Sequence, residues 1–475
     1  RILVKKRLLI VSAMILTSFV SCENSADVSQ ISSESSVQEV SEDKDKEDII
    51  LTMASRGSLT RYRLGTENLI DIFNEMDNGY KIITVDYGEY FDGGNEEEAE
   101  LWIDKDQELT IDVIKGGVID IIPNVFNDSG KYQSLAEKGA FADLNTFIEN
   151  DSEIDEGMLF SHVLETTEIN NQLCYMPLSF SINTLTGKTK YVGSKENWTI
   201  DDLKQHWESA NGTVNFSYHN TKDYIYYDLL RGCLNSFIDY DNAKCYFDSE
   251  EFIELLDFIN TFDEPLTYKT EVNYFDDTFI KNVTISGFES YHDAVWNANN
   301  DDVTFVGYPS DNGTGAMLDI SNKIAISAAS SPEKQQGAWE FIRLLISEEY
   351  QSNVTHPSDI IINGTTYSFP SCGFPINYEV FQKQGKEQYD NENTDKIVEM
   401  SGIGSLNVGY LKKSEYDRLV DYINNIKVST SLIESELKSI IEDEIFAVFS
   451  GELTSAEAAN NIQNRASILV SEYYG

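Results

Sequence analysis

Side chains able to do chemistry are plentiful in this sequence, but few stand at the spacings that chemistry requires. Five histidines, His162, His206, His219, His292 and His356, are scattered without H-E-x-x-H or another ligand spacing, so they read as surface or hydrogen-bonded residues. No G-x-S-x-G elbow is there to present a serine nucleophile. "TGKT", residues 186–189, ends like a phosphate-binding loop, but the first glycine of G-x-x-x-x-G-K-[ST] would have to stand at Ile182, so there is no P-loop. "DYDNAKCYFDSE", Asp239–Glu250, has acids at the first, third and twelfth places of a calcium loop. Ala243 offers no side-chain oxygen at the fifth place and Lys244 replaces the turn glycine, so a solvated hairpin is the better reading. The 81 acids supply many carboxylate pairs for glycoside hydrolysis, whose separation only the fold decides. Cys174, Cys233, Cys245 and Cys372 form no C-x-x-C pair, which removes zinc-ribbon and thioredoxin chemistry; Cys233 and Cys245 can form a disulfide outside the cell or remain two free thiols. No cofactor and no metal is expected.

The elements that must position any site follow from periodicity. "DIILTMAS", residues 48–55, reads as a strand, and Thr66 can cap a helix whose Leu69, Ile70, Phe73 and Met76 share one face. "YKIITVDY" is the next strand. The helix around "ELTIDVIKGG" stops at Gly116 and Gly117, and the apolar run "VIDIIPNV" follows at once, as a parallel sheet covered on both faces requires. The alternation argues for an α/β fold of mainly parallel sheets flanked by helices. Later helices carry their own start signals: Thr199 with Asp202, Ser331 before Pro332, and Thr454 with Glu457. Trp339, Ile342 and Leu345 make one buried stripe, and Ile433, Leu437, Ile440, Ile441, Val448 and Phe449 another, ending at Gly451; Ile462 and Leu469 follow on the last helix. Trp102, Trp198 and Trp207 are assigned to the core.

With 475 residues the chain exceeds one usual core and implies two lobes or more. Its hydrophobic content of 41% and aromatic content of 12% suffice for globular folding, and its formal charge is −46. Such acidity excludes nucleic acid and anionic lipid headgroups as partners of the body. Arg1, Lys5, Lys6 and Arg7 precede an apolar run, Leu8–Val20, too short to span a bilayer comfortably, which reads as an export signal. "FVSC" then resembles the lipobox of bacterial lipoproteins, departing from it at Phe19, where leucine is usual. The resemblance implies cleavage after residue 21 and a diacylglyceryl group on Cys22, so that a lipid at the new N-terminus holds the protein on the outer face of the membrane. Without the four signal cations, 31 basic residues face 81 acidic ones, a net of −50. Residues 22–47, polar and free of aromatics, read as a disordered tether.

Along the body, "FNEMDNGYKIITVDYGEY", "LTIDVIKGGVIDII", "EKGAFADLNTFIEND", "NQLCYMPLSFSINTL", "NWTIDDLK", "VTISGFESY", "VTFVGYPS", "KIAISAASSPEKQQGAWEFIRLLISEEYQ" and "GELTSAEAANNIQNR" stand in one order. In that order they resemble the extracellular solute-binding proteins of ABC importers, in particular the carbohydrate-binding, maltose-binding-protein-like group. The resemblance implies a two-lobed type II fold with lobes at 48–180 plus 319–352 and at 181–318 plus 353–475, joined by several strands. It implies a monomer that holds a sugar between its lobes and delivers it to separate permease subunits, with no catalysis. In open α/β sheets ligands lie beyond the carboxyl ends of the strands, which nominates Arg56, Arg61 and Tyr62 after the first, Tyr87 and Tyr90 after the second, and Asn124 and Asn127 after the third. The family's second lobe adds an aromatic after "VTISGF", nominating Tyr291 and Trp296. Two other readings stay open: a cell-surface glycan hydrolase or transglycosylase, and a peptide or amino-acid receptor of the same fold.

Overall fold

The structure, a computed structural model, describes residues 48–56, 66–88, 96–126, 130–155, 157–240, 242–263, 278–296, 301–310, 315–352, 359–362, 365–368, 373–400, 404–429 and 435–474. Cys22 and the tether, together with Arg61, Tyr62, Tyr90, Asn127, His356, Cys372 and Ile433, lie outside the described residues.

The chain opens with strands β1 (Ile49–Ser55), β2 (Tyr80–Asp86) and β3 (Ile121–Pro123), all parallel, with β1 in the middle. Parallel neighbours need crossovers, and α1 (Thr66–Glu75) and α2 (Glu96–Lys115) supply them. Helix α1 buries Leu69, Ile70 and Phe73 as its spacing predicts. Met76 departs from the expected stripe: the helix stops at Glu75 and the turn leaves Met76 exposed. Gly116 and Gly117 both take positive φ, and a Cβ on Gly116 would lie 2.1 Å from that of Ala329, so the stop also permits a close approach.

Four more strands extend this trio: β4 (Met176–Lys188), β5 (Lys281–Ile285), β6 (Val303–Phe305) and β7 (Met317–Ile326). Two short ones, β8 (Phe374–Pro375) and β9 (Val428–Ser429), complete a nine-stranded sheet among the described residues. The long β4 and β7 run antiparallel to each other, and β7 continues the sheet antiparallel to β3. The parallel trio expected from the sequence is thus extended by strands that pass back and forth, and β9 joins β7 in parallel. Register shifts interrupt the β4–β7 ladder between Pro177 and Ser179 and between Ser179 and Ser181, bulges that bend and twist the pair.

The remaining longer helices are α3 (Gly130–Glu137), α4 (Ile200–Ala210), α5 (Glu250–Asn260), α6 (Phe288–Val295), α7 (Pro332–Ile346), α8 (Tyr378–Tyr389), α9 (Lys413–Ile423), α10 (Ser435–Phe449) and α11 (Ser455–Tyr474). Their predicted caps form: Thr199 and Asp202 make a reciprocal capping box on α4, Ser331 accepts from the Lys334 amide on α7, and Thr454 and Glu457 bond reciprocally before α11. Each satisfies a backbone donor that has no partner inside its helix.

Two apolar clusters result. The first gathers Leu51, Phe73, Ile121, Phe180, Ile324, Trp339 and Phe341 around the parallel trio; the second gathers Leu185, Trp198, Trp207, Phe216, Leu256, Ile441 and Ile462. Phe374–Ile426 sends its buried residues to the first cluster, where Phe374 packs on Phe180 and Phe381 on Phe160. Strands β4 and β7 belong to both: Phe180 and Ile182 enter the first cluster and Leu185 the second. A buried carboxylate braces the first cluster. Asp120 accepts from the Thr52 amide (2.9 Å), Thr52 Oγ1 (2.9 Å), Ser330 Oγ (2.6 Å) and Lys334 Nζ (2.8 Å). Burial alone would raise its pKa, but the bonds from Lys334, Ser330 and Thr52 outweigh burial and hold it below the ordinary carboxylate value.

Candidate functional site

Strand β4 reads "MPLSFSINTLTGK", apolar and polar residues alternating, so its two faces differ in kind. Leu178, Phe180 and Ile182 face the first core. On the other face, Ser179, Ser181 and Asn183 fill the stretch between Tyr175 and Leu185, the point where the second core begins. Across the ladder Ser179 pairs with Asn322 and Ser181 with Asp319, and on the other side Thr284 Oγ1 donates to Asn183 Oδ1 at 2.7 Å. Asn282, two residues along β5, accepts from the Tyr308 hydroxyl at 2.8 Å and donates to the Tyr227 carbonyl at 3.4 Å. A polar stripe thus crosses the shared sheet where the two cores part.

The sheet is also open there. The outer edge of β7 is paired by β3 at Ile324–Ile326 and by β9 at Met317–Leu318, while among the described residues no strand pairs with it from Asp319 to Lys323. Strand β9 and Tyr175 form walls of a cavity of about 520 Å3. Gln133, Glu137 and Glu168 line it from the side of the first core; Asp239, Tyr240 and Tyr246 line it from the side of the second. This volume lies within the roughly 300–1,000 Å3 typical of small-molecule sites.

Local structure fixes these side chains. Tyr132 on α3 donates its hydroxyl to the carbonyls of Ile122 (3.1 Å) and Pro123 at the end of β3, and its ring meets Tyr175 edge-on at 5.9 Å. The Lys323 ammonium, only 1% exposed, lies 4.7 Å and 4.9 Å from the centroids of those rings, a buried cation held against two π faces. The Tyr240 hydroxyl donates to Asn235 Oδ1 at 3.1 Å, and the hairpin of "DYDNAKCYFDSE" forms through Ile238–Asp239 and Lys244–Cys245. Below the first wall, burial pushes the Cys174 thiol up to about 12, with Asp143, Glu137 and Glu168 adding to the rise. Flat rings beside amides, hydroxyls and carboxylates suit a polyhydroxylated ring: its C–H face rests on an aromatic and its hydroxyls bond at the edge.

The described histidines serve structure. His162 and His292 bond the carbonyls of Ile426 (2.7 Å) and Val408 (2.8 Å), His206 stacks on Trp198, and His219 packs on Tyr224. Among the described residues no group of acids, histidines or cysteines is placed to hold a metal, and Cys174, Cys233 and Cys245 are free thiols.

The nominated residues that the structure describes do not converge on the cavity. Arg56 is fully buried, with Nη1 3.5 Å from Asp106 of α2; burial lowers its pKa and Asp106 opposes that. Tyr87, 2% exposed, donates to Asp112 of the same helix at 2.8 Å, and burial followed by that bond raises its pKa. These two side chains fasten strand ends to α2. Asn124 is buried at the end of β3, and Tyr291, 1% exposed, stacks on Phe305 at 5.6 Å. Trp296 borders a separate cavity of about 340 Å3 with Tyr218, Lys188 and Lys281. Tyr175, Tyr240, Tyr246, Glu137 and Asp239 escaped the sequence reading, since a rule based on strand ends does not reach a hairpin or a helix flank. The serines alternating inside an apolar strand were the legible signal.

The profile of a family described as bacterial extracellular solute-binding protein matches residues 114–360. Solved structures agree in fold. A periplasmic oligogalacturonide-binding protein from Yersinia enterocolitica is 14% identical, with a TM-score of 0.55 over 90% of this chain and 100% of its own. The sugar-binding protein MalE from Xanthomonas citri is 10% identical, with a TM-score of 0.51 over 89% of this chain and 98% of its own. A structure described as a de novo designed esterase is 14% identical, with a TM-score of 0.53 over 90% of this chain and 100% of its own, a reminder that shared fold does not carry activity. Among curated proteins, none matches the sequence. The family profile spans more than half of the 475 residues, and on that ground the chain belongs to the bacterial extracellular solute-binding proteins.

Proposed function

We propose that this protein is the sugar receptor of an ABC importer, capturing a sugar or oligosaccharide where its two cores part and delivering it unchanged to membrane permease subunits. The observation that carries the reading is the polar stripe of Ser181, Asn183 and Asp319 beside a cavity walled by Tyr175, Tyr240 and Tyr246. Family membership supports solute capture outside the cytoplasm, and the structural relatives described as sugar-binding favour a carbohydrate. The proposed lobes are 48–180 with 319–352 and 181–318 with 353–475, except that Phe374–Ile426 sends its buried residues to the first core and so packs with the first lobe. A ligand that touches both lobes only when they close shifts the population toward closure, because its contacts exist in that state alone. Arg61, Tyr62, Tyr90 and Asn127 stay in the proposal as ligand contacts nominated by sequence, whereas Asn124 and Tyr291 are buried elsewhere and Trp296 borders a separate cavity.

Anchoring belongs to the same proposal. A diacylglyceryl group on Cys22 would hold a monomeric receptor at the outer membrane face, since each buried methylene contributes about 0.8 kcal/mol. Among the described residues no helix is long and apolar enough to cross a membrane. Incubating the full chain with a glycan panel tests the core of the reading. Saturable thermal shifts with unchanged glycans are expected, and shorter products accumulating at enzyme-like turnover would replace the receptor with a hydrolase. A Cys22→Ser chain should leave the membrane fraction; its staying there would remove the lipid anchor.

A further inference from the structure

We propose that the groove selects its sugar by charge, accepting amino-bearing and neutral rings over carboxylate-bearing ones, with Glu137 and Asp239 as specificity-determining residues. This rests on the reading of the cavity as a sugar site.

Among the described residues three carboxylates border the cavity, Glu137 and Glu168 from one side and Asp239 from the other, and Lys427 is the basic residue on its wall. What holds these acids decides their effect. Glu137 accepts from Gln133 Nε2 at 2.9 Å on one oxygen and from Asn170 Nδ2 at 2.6 Å on the other. Glu168 accepts from Asn145 Nδ2 at 2.8 Å, and Asp239 accepts from the backbone amide (3.1 Å) and the side chain (2.9 Å) of Asn242. Neutral amides orient a carboxylate and leave its charge uncancelled, whereas an ion pair would cancel most of it. Asp143 adds a fourth acid behind the first wall; burial first, and after it the charges of Asp143, Glu137 and Glu168, raise the pKa of Cys174 beside them. On the positive side stand Lys427, which is exposed, and Lys323, turned against the rings of Tyr132 and Tyr175. Among the described residues, four acids against two bases around the cavity leave about two negative charges.

At roughly 8 Å, in a medium of dielectric about 60, two such charges make about a tenfold difference in affinity between a neutral ring and its uronate. An ammonium on the ring gains by a similar factor. Screening shortens the reach of both effects to about one Debye length, so they should shrink as salt rises.

The test uses the full chain and calorimetric titration with sets of oligosaccharides that share a ring and linkage but differ in charge: neutral, 2-amino and uronate forms, at pH 6 and low ionic strength. The expected order is amino, then neutral, then uronate, with about tenfold steps that collapse in 0.5 M salt. A uronate binding as tightly as its neutral partner, or more tightly, overturns charge selection and leaves the sugar reading standing. Silence from every set removes the sugar reading itself. In the double variant Glu137→Gln, Asp239→Asn the ratio of the uronate to the neutral-sugar Kd should fall to about threefold, whatever happens to the absolute affinities; an unchanged ratio would exonerate these two residues. Should that variant not fold, the salt series on the unaltered chain decides alone.

Discussion

Replacing Tyr246 by alanine separates binding from folding more cleanly than any other change in the groove. Its ring is 47% exposed and borders the cavity, so about half of a side chain of roughly 200 Å2 is open to a partner. A sugar resting on one face would cover about half of that open area, roughly 50 Å2. At about 25 cal/mol per Å2 this is worth about 1.2 kcal/mol, or roughly sevenfold in Kd. Stability should change little, because the backbone bonds that place the residue, from its amide to the Phe237 carbonyl and from the Ser249 amide to its own carbonyl, do not involve the ring. Titrating the best glycan of a panel into wild type and Tyr246→Ala, with thermal melts of both, should give about sevenfold weaker binding at an unchanged midpoint. A variant that binds within twofold of wild type would refute the stacking argument and move the sugar elsewhere. Tyr175→Ala is the contrast: at 2% exposure it has no free face, so it should lower the melting temperature as well, by loosening Tyr132 and Lys323.

Other outcomes follow from features away from the groove. Asp120→Asn should destabilise the protein by about 2–4 kcal/mol at pH 7, since Lys334 loses its anion and the Thr52 and Ser330 bonds lose charge assistance. Because the folded pKa of Asp120 is depressed, its contribution is full above the unfolded value of about 3.9 and disappears as pH falls through the folded value; chemical denaturation should show the wild-type advantage narrowing only below about pH 4. Gly337→Ala should cost about 1–3 kcal/mol despite the better helix propensity of alanine, because its Cβ would lie 2.3 Å from the Tyr80 ring; a higher melting temperature would show that the ring gives way freely. Brief iodoacetamide treatment at pH 8 should leave Cys174 and Cys245 unmodified in mass spectra until denaturant is added, burial holding these thiols up at about 12 and about 11; rapid native labelling would contradict that burial.

The parts of the fold legible in the sequence are those governed by rules spanning a few residues. Thr199 with Asp202, Ser331 before Pro332 and Thr454 with Glu457 announce helix starts because a hydroxyl three residues from an amide decides the matter locally. The stripe of Trp339, Ile342 and Leu345 is equally local, and all three are buried. Met76 escaped the same rule because the chain turned one residue earlier than the spacing implied. The groove is different in kind. Tyr175, Ser429 and the hairpin that carries Asp239 and Tyr246 come from separate parts of the chain, and only the pairing of β9 with β7 and the packing of two cores bring them to one cavity. Arg56 and Tyr87, nominated as ligand contacts, stand at strand ends, yet which way each side chain turns depends on Asp106 and Asp112 of α2, and no short-range pattern encodes that choice.

The second core joins Leu185–Met317 to Leu437–Val470, so about a quarter of its buried residues come from α10 and α11. A polypeptide synthesised only as far as β9 therefore lacks the contacts of α10 and α11, which are remote in sequence from the strands and helices they cover. Any machinery that threads the chain through a narrow pore gains from this delay: the second core stays loose until α10 and α11 have passed, and then locks.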